Sequence, residues 1–422
     1  CDGVSLARAA RSADLPHRNC GLRLLLRMAV MGLGLPRGRA FRAGGRRRPV
    51  KVAIVHSFYR SGQPSGENLA VTAQIEALSQ AEVEVALVGR WSDREVRHPW
   101  DPVRVAMITA TGRGGDPTAE LRRLRPDLVH VHNLFPSMGT RWLGQWQGPI
   151  VATVHNYRPL CANGLLLRDG HFCTDCVSHG TLNAVRHGCY RDSRMATIPL
   201  AVASAGGARR NPVLQRAEAV VFLSQSQREI YVEAGMDGGK SHVIPTGIPD
   251  ITADASSPRN GWMFAGRLTP EKGLAALLNI WPDTEPLAVW GAGPLAAQMQ
   301  AIAPDGIRWY AGDRADVAKA LAGAEGLVFP SLAMEVHPTV VIEALRAGTP
   351  IVAREATVSA ALVERFGVGA VYDGGAPSLR SALAFCRQGG SDLRTAARDC
   401  YERNFTEERW VKDLKSLYSA VL

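Results

Sequence analysis

The chain has 422 residues, 46% hydrophobic and 21% charged, with a formal net charge of +10. This excludes a disordered or fibrous chain and leaves enough length for two sizeable cores. Residues 1–50 hold eleven Arg against Asp2 and Asp14, a net of +9, so the other 372 residues carry about +1 (10 − 9) and form a nearly neutral body.

The leader, residues 1–49, begins with Cys1, lacks Lys and includes Arg46, Arg47 and Arg48. Its composition predicts a basic, disordered extension, an upstream or fragmentary stretch with initiation nearer Met28, Met31 or Val50. Read functionally, it is a basic arm for phospholipid or nucleic acid. A signal peptide fits poorly, because Arg23 and Arg27 interrupt its apolar stretch.

From Val50 onward, short β-branched runs alternate with helical patterns, the signature of parallel sheets built from βαβ units. The first half offers strands at 52–56, 83–88, 128–132, 150–155 and 219–223. Just after His155, Cys161, Cys173, Cys176 and Cys189 form C-x11-C-x2-C-x12-C, four cysteines within 29 positions and a central pair at metal-ligand spacing. With the thiols reduced, this predicts one structural zinc stapling an insertion over 161–189. His171, His179 and His187 are substitute ligands. The apolar stretch 195–208, flanked by Arg186, Arg191, Arg194, Arg209 and Arg210, reads either as a buried helix or as a segment lying on an anionic membrane. At that length, and with Pro199 inside it, it is too short to span a bilayer. No transmembrane helix is expected, and a cytoplasmic protein, peripheral on the inner membrane face, fits the pattern.

Residues 245–250 and 254–260 are polar, turn-rich and without periodicity, the expected hinge between a first domain, 51–247, and a second, 258–402. The second half offers strands at 262–266, 287–290, 307–310, 326–329 and 351–353. Gly266-Arg267 through Lys272-Gly273 follows the first of these, and two cations at a strand end suit a departing diphosphate. Glu335 falls in the loop after the fourth strand. Glu343 falls in the next helix, which Pro338 is suited to open and Gly348 and Pro350 to close. Carboxylates there can accept hydrogen bonds from sugar hydroxyls, in the crevice where open α/β sheets bind ligands. Residues 403–422 predict a terminal helix capped by Thr406, with Trp410, Leu414, Leu417 and Tyr418 on one face.

Taken together, Gly266-Arg267…Lys272-Gly273, Glu335-x7-Glu343 and Ala347-Gly348-x-Pro350 resemble the retaining GT-B glycosyltransferases of family 4, the group 1 glycosyl transferases. The first half agrees through Pro64-Ser-Gly66-Glu67-Asn68, Asp127-Leu-Val-His-Val-His132, Thr153-Val-His155-Asn156 and Val243-Ile-Pro245-Thr-Gly247-Ile248. The likeness runs from about Lys51 to Leu422. It implies two Rossmann-like domains with parallel sheets, 51–247 on the acceptor side and 258–402 binding the nucleotide sugar. A crossover helix, 403–422, would return to the first domain.

By that resemblance, Arg267 and Lys272 hold the donor diphosphate and Glu343 the ribose hydroxyls. Glu335 holds the transferred sugar, and main-chain N–H groups around His337, Thr339 and Val340 complete the donor site. His155 and the Gly66 loop approach from the other domain, and Gly293 lies in a turn near the base. Val336-His337-Pro338 stands where many members have Gly-Phe-Gly, so the loop around the sugar is stiffer. The chain has no Asp-x-Asp triplet. The implied reaction is therefore hexosyl transfer from a UDP- or GDP-sugar without a catalytic metal. It proceeds with retention through an oxocarbenium-like state, the leaving phosphate helping to deprotonate the acceptor. His155 and Glu335 are the catalytic candidates, and a glycan or lipid-linked acceptor in cell-surface polysaccharide or glycolipid synthesis is expected.

Two readings compete. Gly291-Ala-Gly293-Pro-Leu-Ala296 with Asp313 fits a dinucleotide fingerprint and an NAD-dependent oxidoreductase. The Arg-rich arm with the Cys cluster fits a nucleic-acid-binding protein, but that reading leaves the glutamate pair unexplained.

Overall fold

The computed structural model describes residues 48–59, 65–95, 100–251 and 259–422. Nearly all of the basic leader, the start of the Gly66 loop and most of the hinge expected over 254–260 lie outside these residues.

The strands are β1 (Lys51–Phe58), β2 (Glu84–Trp91), β3 (Leu128–Val131), β4 (Ile150–Val154), β5 (Leu167–Arg168), β6 (His171–Phe172), β7 (Ala219–Phe222), β8 (Ser241–Val243), β9 (Trp262–Ala265), β10 (Leu287–Trp290), β11 (Ile307–Tyr310), β12 (Gly326–Phe329), β13 (Ile351–Arg354) and β14 (Gly369–Tyr372). They form two six-stranded parallel sheets, β2-β1-β3-β4-β7-β8 and β11-β10-β9-β12-β13-β14, plus an antiparallel hairpin β5–β6. Both sheets are covered by helices, which is why β1, β3, β4, β7, β9 and β12 read as almost unbroken apolar runs. All ten strands expected from the sequence form. The four others are two-residue hairpin strands or lie at sheet edges, too short or too polar to register as apolar runs.

In each sheet the strand order reverses once, between β1 and β3 and between β9 and β12. Loops diverge at such a switch point and leave a crevice at the strands' carboxyl ends. The helices that bear on function are α1 (Gly66–Gln80), α2 (Asp101–Thr111), α3 (Asp175–His179), α4 (Leu182–His187), α5 (Arg194–Ala203), α6 (Arg314–Gly323), α7 (Thr339–Arg346) and α8 (Glu407–Val421). Helix α7 starts one residue later than Pro338, which stands at its cap. None of the described helices is long and apolar enough to cross a membrane.

Helix α8 begins at Thr406, whose hydroxyl accepts from the Arg409 N–H at 3.3 Å, and its first turn carries Glu407 and Glu408. Its buried face, Trp410, Leu414, Leu417 and Tyr418, packs in one cluster with Val52 and Ile54 of β1 and Val71 and Leu78 of α1. Burying each such side chain contributes roughly 2 kcal/mol. A polar contact fixes the helix end. The Tyr418 hydroxyl lies 2.7 Å from His130 Nδ1 and 3.2 Å from Gln74 Nε2, and Gln74 Nε2 lies 3.0 Å from the same His130 nitrogen. Because an amide nitrogen only donates, His130 Nδ1 accepts, and its Nε2–H donates to Thr153 Oγ1 at 2.8 Å. Tyr418→Phe removes the shorter of the two contacts at His130 Nδ1 and leaves Gln74 as its donor, so we expect a loss of about 0.5–1.5 kcal/mol in urea unfolding, with the overall fold kept.

Candidate active site

Two loops meet at the second switch point. The chain leaves β9 through Gly266-Arg267-Leu268, forms a short 3-10 turn over Pro270–Lys272 and reverses at Gly273. Gly273 has φ +72°, and a Cβ there would stand 2.0 Å from the Pro330 carbonyl oxygen, so only glycine lets this loop lie against the one after β12. That contact sets Lys272 Nζ 2.7 Å from Glu335 Oε2. The Ser331 hydroxyl reaches Glu335 Oε1 at 2.6 Å, and Leu332 N–H donates to the Glu271 carbonyl at 2.9 Å. Glu335 is thereby oriented from two sides. Arg267 is different: its side chain is 65% exposed and pairs only with Glu271, at 3.2 Å.

Gly291 and Gly293 are consumed by packing. A Cβ on either would lie 1.9 Å from the Gly266 carbonyl oxygen or 2.4 Å from that of Leu268. The Gly-x-Gly turn therefore seats the β10 loop on the β9 loop. Asp313, the would-be ribose acid of a dinucleotide site, instead caps α6, accepting from the N–H groups of Ala315 and Asp316.

Glu343, one turn into α7, is buried and accepts from Arg314 Nε at 2.5 Å. Arg314 was missed from sequence. Its signal was the capping box Asp313-x-x-Asp316, which makes Arg314 the first residue of α6, at the carboxyl end of β11. Thr339 and Val340 open α7, where first-turn N–H groups have no partner within a helix. His337 turns toward the segment joining the lobes, its Nε2 3.0 Å from the Thr246 carbonyl oxygen, and desolvation pushes its pKa down to about 4. On either side of Glu335, Val336 is buried in the first lobe's core and Met334 packs against it. The Glu335 loop thus spans both lobes.

On the first lobe, His155 follows β4, with Nε2 2.8 Å from His132 Nδ1. His132 stacks on His130, ring centroids 4.3 Å apart, and His130 is the residue tied to Tyr418. Desolvation holds all three imidazoles neutral, His130 and His155 at about 3 and His132 well below its usual value. His337 also bears electrostatically on His155, across the lobes. In the sequence His132 is only the end of the motif Asp127-Leu-Val-His-Val-His132; its partnership with His155 depends on β3 lying beside β4.

At the first switch point, Asn68 Oδ1 lies 3.2 Å from His56 Nε2 and accepts from the Tyr59 N–H at 3.3 Å, closing the base of the Gly66 loop. A Cβ added to Gly66 would meet nothing within 4 Å, so the fold does not itself demand glycine there. The next residue, Glu67, accepts from Asn156 Nδ2 at 3.4 Å, while its Oε1 is buried without a hydrogen-bond partner among the described residues. Desolvation outweighs the attraction of Arg158 and pushes its pKa up to about 7. The structure thus joins Lys272 to Glu335, Glu343 to Arg314 and His155 to His132. It leaves Arg267 outward, and the four cysteines gather around a separate pocket beside the hairpin.

Two family models match this chain: Glycosyltransferase Family 4 over residues 64–250 and Glycosyl transferases group 1 over residues 259–383. No curated protein sequence matches it. Sucrose-phosphate synthase from Thermosynechococcus elongatus superimposes with a TM-score of 0.60 at 17% identity, covering 88% of this chain and 98% of that one. The lipopolysaccharide outer core galactosyltransferase WaaB gives 0.58 at 13% over 88% and 100%. HepE of Anabaena, in complex with UDP, gives 0.54 at 17% over 88% and 100%. The two sheets and their switch-point loops are those of the GT-B fold. The chain belongs to the family 4, group 1 glycosyltransferases.

The titrations have opposite signs. His56 and His337 at about 4 and His130 and His155 at about 3 bind fewer protons folded than unfolded, where histidine sits near 6.5. Their stabilisation is present above about pH 6.5 and is lost as pH falls toward 4. Glu67 is raised, so its penalty grows as pH rises from the ordinary glutamate range through about 7. Calorimetry should find Tm falling steeply below pH 6.5. Glu67→Gln should melt higher than wild type at pH 8 and equal to it near pH 4.5, whereas equal melting at both would show Glu67 is not desolvated.

Proposed function

We propose that the chain is a retaining, metal-independent hexosyltransferase. It moves a hexose from a UDP- or GDP-sugar to a glycan or lipid-linked acceptor in cell-surface polysaccharide or glycolipid synthesis. The observation that carries this reading is the pair Lys272–Glu335 at the switch-point crevice, with Glu343 buried one turn into the following helix. Lys272, with Arg267 swinging inward and the first N–H groups of α7, would neutralise the diphosphate as charge grows on its leaving oxygen. Glu343 would accept from the ribose diol, displacing or sharing Arg314, and that cation would then face the phosphates. Glu335 would hold hydroxyls of the sugar. Neutral His155, oriented by His132, would donate a hydrogen bond to the sugar. The acceptor's proton would go to the departing phosphate oxygen, which requires no side-chain base. A HepE complex contains UDP-glucose, which supports a uridine donor.

A membrane-borne acceptor is supported by surface chemistry. On α5, Met195, Ile198 and Val202 are exposed at helical spacing while Thr197, Leu200 and Ala201 are buried. On α2, packed against α5, Val103 and Met107 are exposed, as is Trp100 before it. Exposed Arg186 and Arg191 precede α5, and exposed Arg194 opens it. An apolar stripe with a basic rim suits the headgroup region of an anionic bilayer. It also supports a location on the cytoplasmic face, where such lipids concentrate.

Differential scanning fluorimetry with UDP- and GDP-sugars should raise Tm by several degrees at saturating donor, and Glu343→Ala should abolish the shift. If no sugar nucleotide stabilises the wild type while NADH does, the reading is wrong. Gly66→Ala should leave Tm unchanged but raise donor KM about tenfold, equivalent to about 1.4 kcal/mol of lost binding. Flotation with anionic liposomes should recover wild type at low salt and lose Met195→Asp/Ile198→Asp.

A further inference from the structure

We propose that Cys161, Cys173, Cys176 and Cys189 are the four thiolate ligands of a structural zinc ion, which holds hairpin β5–β6 beside the loop that carries Glu335. All four cysteines are free, and all four line one pocket within the insertion. The Cys176 thiol lies within electrostatic range of the other three. His171, His179 and His187 are exposed and do not line the pocket, and Asp175, which does, is paired with Arg168 at 2.5 Å, so the donor set is the four sulfurs. Four thiolates with a Cys-x2-Cys pair select a soft, tetrahedral ion, for which zinc is the common choice.

The local backbone delivers the cysteines by short-range turns. Cys161 N–H closes a turn on the Tyr157 carbonyl at 2.8 Å, and Cys173 N–H bonds to the Leu166 carbonyl at 2.9 Å, across the hairpin. Cys176 stands in the first turn of α3. Cys189 follows the left-handed Gly188 that ends α4, with its N–H on the Ala184 carbonyl at 3.0 Å. Leu166 and Asp169 hold positive φ, a conformation that costs free energy outside glycine.

Little apolar burial offsets that cost. The strands of the insertion are two residues long, and its satellite core has only Ala162, Ala184 and Leu200 fully buried, with Cys176 and Cys189 packed against them. A segment of this kind needs a staple. Among the described residues no three ligating side chains already stand in a coordination set. The ion would therefore draw the thiols inward from the pocket wall.

The staple has a consequence for the site. A Cβ at Gly170, in the hairpin turn, would lie 4.0 Å from Leu332 Cδ1, three residues before Glu335. The hairpin turn thus comes within reach of the Glu335 loop, which an ordered insertion would buttress.

The test uses the full chain purified without chelator. Metal analysis should find one zinc per chain, released by an organomercurial as it modifies Cys161, Cys173, Cys176 and Cys189, followed by peptide mass. Protein grown in cobalt should show thiolate-to-cobalt charge-transfer bands. The double variant Cys173→Ser/Cys176→Ser should lose the metal, and Cys386→Ser/Cys400→Ser, altering buried cysteines outside the cluster, should keep it. Hydrogen exchange after zinc release should rise in residues 161–193 and also in 330–336. Protein purified without chelator that holds no zinc while all four thiols are alkylated, two disulfides by intact mass, or zinc retained in the first double variant would each overturn the site. Unchanged exchange at 330–336 would overturn the buttress.

Discussion

The candidate site depends on one close approach between two backbones. Gly273 lies so near the Pro330 carbonyl that any side chain there would collide with it. This contact brings the loop after β9 against the loop after β12. It converts Lys272 and Glu335, 63 positions apart in sequence, into an ion pair 2.7 Å long. Both groups are mostly buried, so the pair costs desolvation and is weak support for stability. Its value is positional: it holds one carboxylate and one ammonium in the crevice that a nucleotide sugar would enter. Met334 and Val336 then tie the same loop to the first lobe, so the position of Glu335 is linked to how the lobes sit.

A second chain of contacts runs through the first lobe. Helix α8 lies at the end of the sequence, yet its Tyr418 hydroxyl touches His130, which stacks on His132, which meets His155. Neutral, desolvated imidazoles suit hydrogen bonding to a sugar and are poor proton carriers near neutral pH. Burial also makes each one a liability in acid. The terminal helix therefore contributes to stability through its apolar face and to the orientation of His155 through one hydroxyl.

Particular residues show what could be read in advance. The ten apolar strands were legible because both sheets are covered on both faces, and Glu335 and Glu343 because helix start and stop signals place them. Arg314 and Glu67 were not, since their partners are brought near by strand order and by a loop closed on Asn68. Gly293 reads as a ligand-binding glycine; in the fold its lack of a side chain lets the turn lie against the Leu268 carbonyl. The stretch 195–208 shows the same limit. Apolar content could not tell a buried face from an exposed one, and in the fold Leu200 is buried while Met195 and Ile198 are not.

The amino-acid sequence by itself determined the parallel α/β class, the family and the chemical character of the site, because those rest on local periodicity and ordered motifs. Only the tertiary structure decided which charges pair, which imidazoles are dry, and that four cysteines spread over 29 positions surround one pocket. The reason is physical: pairing and desolvation are properties of distance and burial, and both are set by how distant segments pack.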